Sequence, residues 1–348
     1  MLLGLPMAGI LLAGRPVAPY LEFPPLTRLH VPAPFSIAMF VLFAVVDLIV
    51  AGLLVYFLMR ASARLRELSR QRIATPFPLW GWLGLGLLLF GWFAAWTRMP
   101  WLAWIQEHTY VLPWSGYILL VNAWCAKRSG RSLLTDSPRR FLALILASVF
   151  FWWFFEYLNR FVQNWHYVGG ADYSAGTYAL MASLAFATVL PAVLSTQRLL
   201  LTFTLFDPGL EKLLPLRVRH GRAIAWAALI GAAGCLSFLG IYPDRLFSTV
   251  WFAPLLILTA LGHLSGERTI FSPLAHGDWR AILASAIAAT ICGFFWEMWN
   301  VCSLARWEYA VPFVDRFHIF AMPLLGYGGY PPFGLECLAV GRQIHPDV

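Results

Sequence analysis

Apolar runs of about twenty residues alternate along this chain with short polar or basic stretches. The runs cover roughly 35–59, 78–97, 110–126, 139–160, 174–196, 223–241, 248–264, 280–303 and 317–340. A helix rises 1.5 Å per residue, so about 20 apolar residues cross a hydrocarbon layer of ~30 Å. The pattern predicts an all-α integral membrane protein with about nine transmembrane helices, of which the third and seventh are short. Composition agrees. The 348 residues are 60% hydrophobic and only 12% charged, against about 25% charged in soluble domains. The first 14 residues are apolar, lack a leading basic region and are too short to span. They read as an interfacial or re-entrant segment.

The net charge is +8, and the basic residues lie between the apolar runs. That is a topology signal rather than a nucleic-acid footprint, so no nucleic-acid partner is expected. With the loop after the first run placed inside, 18 Lys and Arg fall inside and 7 outside. The chain is then oriented with its N-terminus outside and its C-terminus in the cytoplasm, which fits a bacterial inner membrane. The stretch Arg60–Arg72 continues the first run as a basic helix suited to anionic headgroups, making membrane lipids the expected partners.

Runs two to five match runs six to nine. Pro113 and Pro254, Asn122 and His263, Glu156 and Glu297, and Asn159 and Asn300 are each 141 positions apart, and Trp165 and Trp307 are 142 apart. Four spans is an even number, so both copies point the same way and form a parallel repeat. The expected organisation is an N-terminal segment with the first span (1–77), repeat unit one (78–197) and repeat unit two (198–348).

Each copy carries a Glu inside an apolar run, where a carboxyl group is costly and marks a site or a helix-joining contact. Glu156 lies 17 positions after Arg139 and Glu297 lies 17 after Arg280, which places both ~25 Å up their helices. Asn159 and Asn300 follow at i+3, on the same face, where an amide could donate to the carboxylate and orient it. Arg160 and Arg306 are near enough in sequence to be ion partners. Glu156 and Glu297, with Asn159 and Asn300, are therefore the candidate catalytic groups. Trp165, Tyr167, Trp307 and Tyr309 are candidate substrate contacts, although aromatics at span ends also form interfacial belts.

The last run holds three prolines and four glycines between Met322 and Cys337, so it cannot be one regular helix. Broken backbone at membrane depth belongs inside protein or beside a cavity. Tyr327 and Glu336 are placed there as further substrate contacts, and Glu336 is read as having no counterpart in the first copy. Asp47, mid-span, could pair with His263 or cap a neighbouring helix, whereas Asn122 and His263 fall where interfacial solvation would serve them. His108, His166 and His318, with Glu107, Asp172, Glu308 and Asp315, show no metal-ligand spacing, and the five cysteines are scattered packing residues. No metal is expected, and no motif names a cofactor.

The segment from Gly293 to Cys337 resembles a bacterial family of uncharacterised multi-pass membrane proteins. Its pattern is Trp-Glu-x-x-Asn, Trp-x-Tyr and Met-Pro-x-x-Gly-Tyr-x-Gly, here Trp296–Asn300, Trp307–Tyr309 and Met322–Gly329. The resemblance implies membrane residence and no particular activity. A fainter likeness is to membrane-embedded lycopene cyclase domains, which also repeat short helical units and carry a Trp-x-Tyr, matched by Trp165–Tyr167 and Trp307–Tyr309. Their proline-acidic motif is not reproduced: Glu336 stands four residues past Pro332. Three functions remain open at this level. One is an enzyme in which an intramembrane Glu protonates an isoprenoid or lipid among aromatics. The second is a proton- or cation-coupled transporter or channel. The third is a non-catalytic subunit of a membrane complex.

Overall fold

The computed structural model describes residues 1–65, 75–169 and 173–346. It is mostly helical. In chain order the helices are α1 (Gly4–Leu12), α2 (Ile37–Arg64), α3 (Leu79–Trp96), the single turn α4 (Ala103–Gln106), α5 (Val111–Ser129), the single turn α6 (Leu133–Asp136) and α7 (Pro138–Val162). They continue with α8 (Ala175–Phe186), α9 (Val189–Leu200), α10 (Gly221–Phe238), the single turn α11 (Pro243–Leu246), α12 (Ala253–Leu264), α13 (Arg280–Asn300) and α14 (Tyr330–Ile344). Strands β1 (Trp165–Val168) and β2 (Arg306–Tyr309) pair with each other, as do β3 (His318–Ile319) and β4 (Met322–Pro323).

Six helical stretches among the described residues are long and apolar enough to cross a membrane: α2, α3, α7, α8 with α9, α10 and α13. A seventh is added if Pro243–Trp251 and Ala253–Leu264, bent by 52°, make one span. The nine-span expectation exceeds this for two reasons. The run at 110–126 does form a helix, but α5 includes Asn122, Lys127 and Arg128 among its 19 residues. The run at 317–340 becomes a two-residue hairpin (β3 and β4), a 3-10 turn over Leu324–Gly329 and the 15-residue α14. Its Pro and Gly content breaks the backbone as the chemistry of those residues requires.

The core is a bundle of α5, α7, α9, α13 and α14 in which Trp114, Phe155, Trp299 and Phe333 are fully buried. α3 packs along α5, and α10 packs along α12. α9 touches α5, α7 and α13, and α14 touches α12, α13 and α7. The α3–α5 contact is close because glycines line it: a Cβ on Gly116 would lie 2.3 Å from the Leu88 amide nitrogen. Small residues allow such backbone approach in helix pairs that cannot rely on hydrophobic exclusion from water.

The short α1 lies on α10, where a Cβ on Gly9 would meet the Ser237 carbonyl oxygen at 1.7 Å. α2 stands at the edge, and the most apolar stretch of its length has no buried residue. Arg64, near its end, donates to the Glu211 carbonyl; the part of the basic stretch beyond residue 65 lies outside the described residues. Asp47 does not meet His263. Its carboxylate sits against Gly328 in the 3-10 turn, where a Cβ would come within 2.1 Å of Asp47 Oδ1, while His263 is exposed beside Gly221. Asn122 is not solvated at an interface. It is buried and donates to Ser195 Oγ at 2.8 Å and to the Ile118 carbonyl at 2.9 Å, and it accepts from the Leu134 amide at 3.1 Å.

Candidate functional site

The two Trp-x-Tyr segments form one antiparallel ladder. Trp165 pairs with Tyr309, His166 with Glu308, Tyr167 with Trp307 and Val168 with Arg306. Over the first three pairs this register is self-complementary: exchanging each residue for its counterpart in the other segment reproduces the same pairs, with His166 and Glu308 at the centre. Each strand leaves the end of a long helix, α7 or α13, and the last turns of those helices carry the two Glu residues. The ladder thus caps both acidic sites at once.

Both Asn residues fasten a strand to its own helix. Asn159 Nδ2 donates to the Trp165 carbonyl at 2.8 Å, and Asn159 Oδ1 accepts from the Trp165 amide at 3.4 Å. Asn300 repeats this on Trp307, at 2.8 Å to the carbonyl and 2.9 Å from the amide. The expectation that each Asn holds its Glu is therefore corrected. At i+3 the amides reach the chain where it turns back, and two backbone groups near a helix end need partners there. The Arg expectation is corrected too. Arg160 donates to the Pro19 carbonyl and lies 3.6 Å from Glu22, and Arg306 donates to Glu308 at 2.8 Å.

The carboxyl groups are held by aromatic donors instead. Glu156 Oε1 accepts from Trp152 Nε1 at 2.9 Å, Trp165 Nε1 at 3.0 Å and the Tyr167 hydroxyl at 2.6 Å. Glu297 Oε1 accepts from the Tyr309 hydroxyl at 2.6 Å and the Tyr330 hydroxyl at 2.8 Å. Trp307 Nε1 donates to the Tyr309 hydroxyl at 2.7 Å, one link back from the carboxylate. Glu297 is 0% exposed and its Oε2 has no hydrogen-bond partner. Glu156 is 7% exposed.

One donor comes from a different place in each site. Trp152 precedes Glu156 by one helical turn, and the matching position before Glu297 is Gly293. Tyr330 fills the space this leaves: a Cβ on Gly293 would fall 2.4 Å from its ring. Tyr330 is the first residue of α14, and its counterpart 141 positions earlier is Val189, the first residue of α9. Neither Trp152 nor Tyr330 was among the sequence candidates. The paired exchange of Trp and Val for Gly and Tyr at one constant offset was the signal that could have found them.

Tyr327 does not reach Glu297 through a hydrogen bond. Its hydroxyl donates to the Ile319 carbonyl at 3.2 Å, and its ring packs edge-on to Tyr330 at 5.7 Å. Glu336 is fully buried on α14, accepts from the Leu255 amide at 3.3 Å through Oε1 and has no partner on Oε2. Ser195 occupies its counterpart position in α9 and receives Asn122, so the acid replaces a hydroxyl that already had a polar role.

The outer face of the ladder is polar. His166 contacts Arg28 at 2.7 Å and lies 3.7 Å from Glu308. Partial burial, followed by the Arg28 guanidinium, pushes its imidazole below the ordinary value, and Glu308 opposes this. Among the described residues, no three His, Cys, Asp or Glu side chains converge in a way that could hold a metal ion. Asp172 lies outside the described residues. No protein-family model matches the chain, and no curated protein or solved structure matches it either.

Proposed function

We propose that this multi-pass membrane protein is an enzyme whose Glu297 acts as an acid on an apolar substrate dissolved in the membrane, of the isoprenoid or lipid class. One observation carries the reading: Glu297 is sealed from water, with one oxygen taking two phenolic hydrogens and the other unpartnered. The phenols donate to Oε1, so a proton carried by the neutral acid sits on Oε2. Transfer to a substrate double bond breaks that O–H bond, forms a C–H bond and leaves positive charge on the neighbouring carbon. Return of a different proton to the carboxylate completes an isomerisation or cyclisation without an added oxidant or reductant. Trp296 and Trp307 supply aromatic surface for the cation near the acid. Tyr330, which donates to Glu297, is itself only half-buried, so the acid lies one side chain behind the protein surface.

Glu156 has the other role in this proposal. With three donors on one oxygen it ties α7 to the ladder and needs no substrate. The same observation favours a second reading, a helix-joining subunit without catalysis, for the chain as a whole. We also infer that the chain arose as two parallel four-helix units. The common offset of α9 and α14, the matching contacts of α3 on α5 and α10 on α12, and the self-complementary ladder support it. The fainter likeness to lycopene cyclase domains points to the same substrate class.

The test compares membrane lipids and pigments by mass spectrometry in cells carrying wild type, Glu297→Gln or Glu156→Gln. The proposal expects the product-to-substrate ratio of one hydrophobic species to fall about 100-fold or more for Glu297→Gln, a typical contribution of a positioned acid, and to hold within a few-fold for Glu156→Gln. Unchanged profiles in both would leave the helix-joining reading.

A further inference from the structure

A cavity of about 290 Å³ opens at the other end of α13, where α5, α9 and α14 finish and α13 begins. α13 has 21 residues, so this cavity lies ~30 Å from the strand ladder along the helix axis. Three guanidinium groups line it, those of Arg198, Arg280 and Arg342, together with Asp207 and Asp278. Arg280 collects the acids: it lies 2.7 Å from Asp207, 2.8 Å from Asp278 and 3.8 Å from Glu211. Asp278 also acts on Arg342 through its charge. Arg198 is half-buried and makes no ion pair or hydrogen bond among the described residues. Its nitrogens are not buried, so the fork stays open to water and is free to take up an anion.

A second feature faces the same space. Ala281 and Ile282 line the cavity, and they belong to the first turn of α13. The amides of a first helical turn have no intrahelical acceptor, and the aligned peptide dipoles add partial positive charge there. The Arg280 amide is taken by Asp278 at 3.1 Å and the Leu283 amide by the Trp279 carbonyl at 3.0 Å. Those of Ala281 and Ile282 have no acceptor within the helix. An unpaired fork and two such amides around a small polar cavity form the donor set that recognises a tetrahedral oxyanion.

We propose that this cavity binds a phosphate group, presented by the headgroup of an anionic lipid or by a soluble phosphorylated compound, with Arg198 as its principal charged contact. The site is separate from the Glu297 chemistry and does not depend on it.

Binding is measured on the full chain in detergent. Inorganic phosphate is titrated by calorimetry, and retention of phosphatidylglycerol is compared with that of phosphatidylcholine by native mass spectrometry. Saturable one-to-one binding of inorganic phosphate supports the site and assigns it to a soluble ligand. Retention of phosphatidylglycerol over phosphatidylcholine, without phosphate binding, supports it and assigns it to lipid. In either case Arg198→Gln weakens binding about tenfold or more, as loss of a charge-assisted fork requires. Arg198→Lys, which keeps the charge and loses the fork, falls between the two and serves if the Gln variant fails to fold. Wild-type protein that takes up neither ligand, or Arg198 variants that bind as wild type does, would overturn the proposal.

Discussion

The Glu156 and Glu297 sites have the same skeleton and opposite finishes. Each begins with a carboxyl group near the end of a long helix, an Asn three residues on that pins the returning strand, and a Trp-x-Tyr in a shared ladder. At Glu156 the helix itself supplies a Trp donor, the strand supplies two more, and the group is tied down. At Glu297 the helix supplies a glycine, a tyrosine enters from α14, and one carboxyl oxygen is left with nothing to bond. A single exchange between helix and helix separates a fastening from a candidate reactive group. Both carboxyl groups take every protein donor on Oε1; burial tells them apart, since Glu297 Oε2 is shut away from water without a partner and Glu156 keeps some exposure.

That contrast can be broken by moving the exchange. Gly293→Trp puts an indole where the Tyr330 ring lies and should destabilise the protein by about 3 kcal/mol, the upper end for overpacking. Adding Tyr330→Val, to imitate the Trp152 and Val189 pair, should recover about half of that loss. Denaturant unfolding in detergent reads both, and a second loss that simply adds to the first would mean the positions are not coupled. The pinning Asn residues come next. Asn159→Ala and Asn300→Ala each strand two backbone groups and should cost about 2 kcal/mol. Because the two pins are equivalent, hydrogen exchange across the ladder should rise similarly in both variants. A large difference between them would show that one copy carries the ladder alone.

The smallest effect concerns pH. His166 titrates below its ordinary value in the folded protein. Its contribution is therefore full above the unfolded value of about 6.5 and is lost as pH falls through the lowered one. Protection of the amides at the centre of the ladder, taken relative to the intrinsic exchange rate at each pH, should fall in mildly acidic buffer, and His166→Gln should flatten that response.

The apolar runs made the membrane helices legible, since a span needs only length and composition, and α2, α3, α7, α10 and α13 fall where the runs predict. The paired Glu and Asn positions were equally visible, because both follow from unusual residues at a constant offset. The partners were not. Asn159 and Asn300 share a face with the Glu residues, yet their amides go to the backbone of a strand that no periodicity announces, since four residues of Trp-x-Tyr look the same in a loop, a belt or a ladder. Asn122 looked interfacial from its place in the run and is buried among Ser195, Ile118 and Leu134, because α6 folds back over that helix end. Tertiary neighbours decide such cases, and sequence distance does not encode them.

The account rests on Glu297 giving a proton to carbon. Purified protein in nanodiscs made from host membrane lipid, incubated in deuterated water, tests this through mass spectrometry of the extracted lipid. Wild type and Glu156→Gln should place deuterium on carbon in one hydrophobic species, and Glu297→Gln should leave that species unlabelled. Equal labelling with and without Glu297, or none with any of the three proteins, would contradict the account.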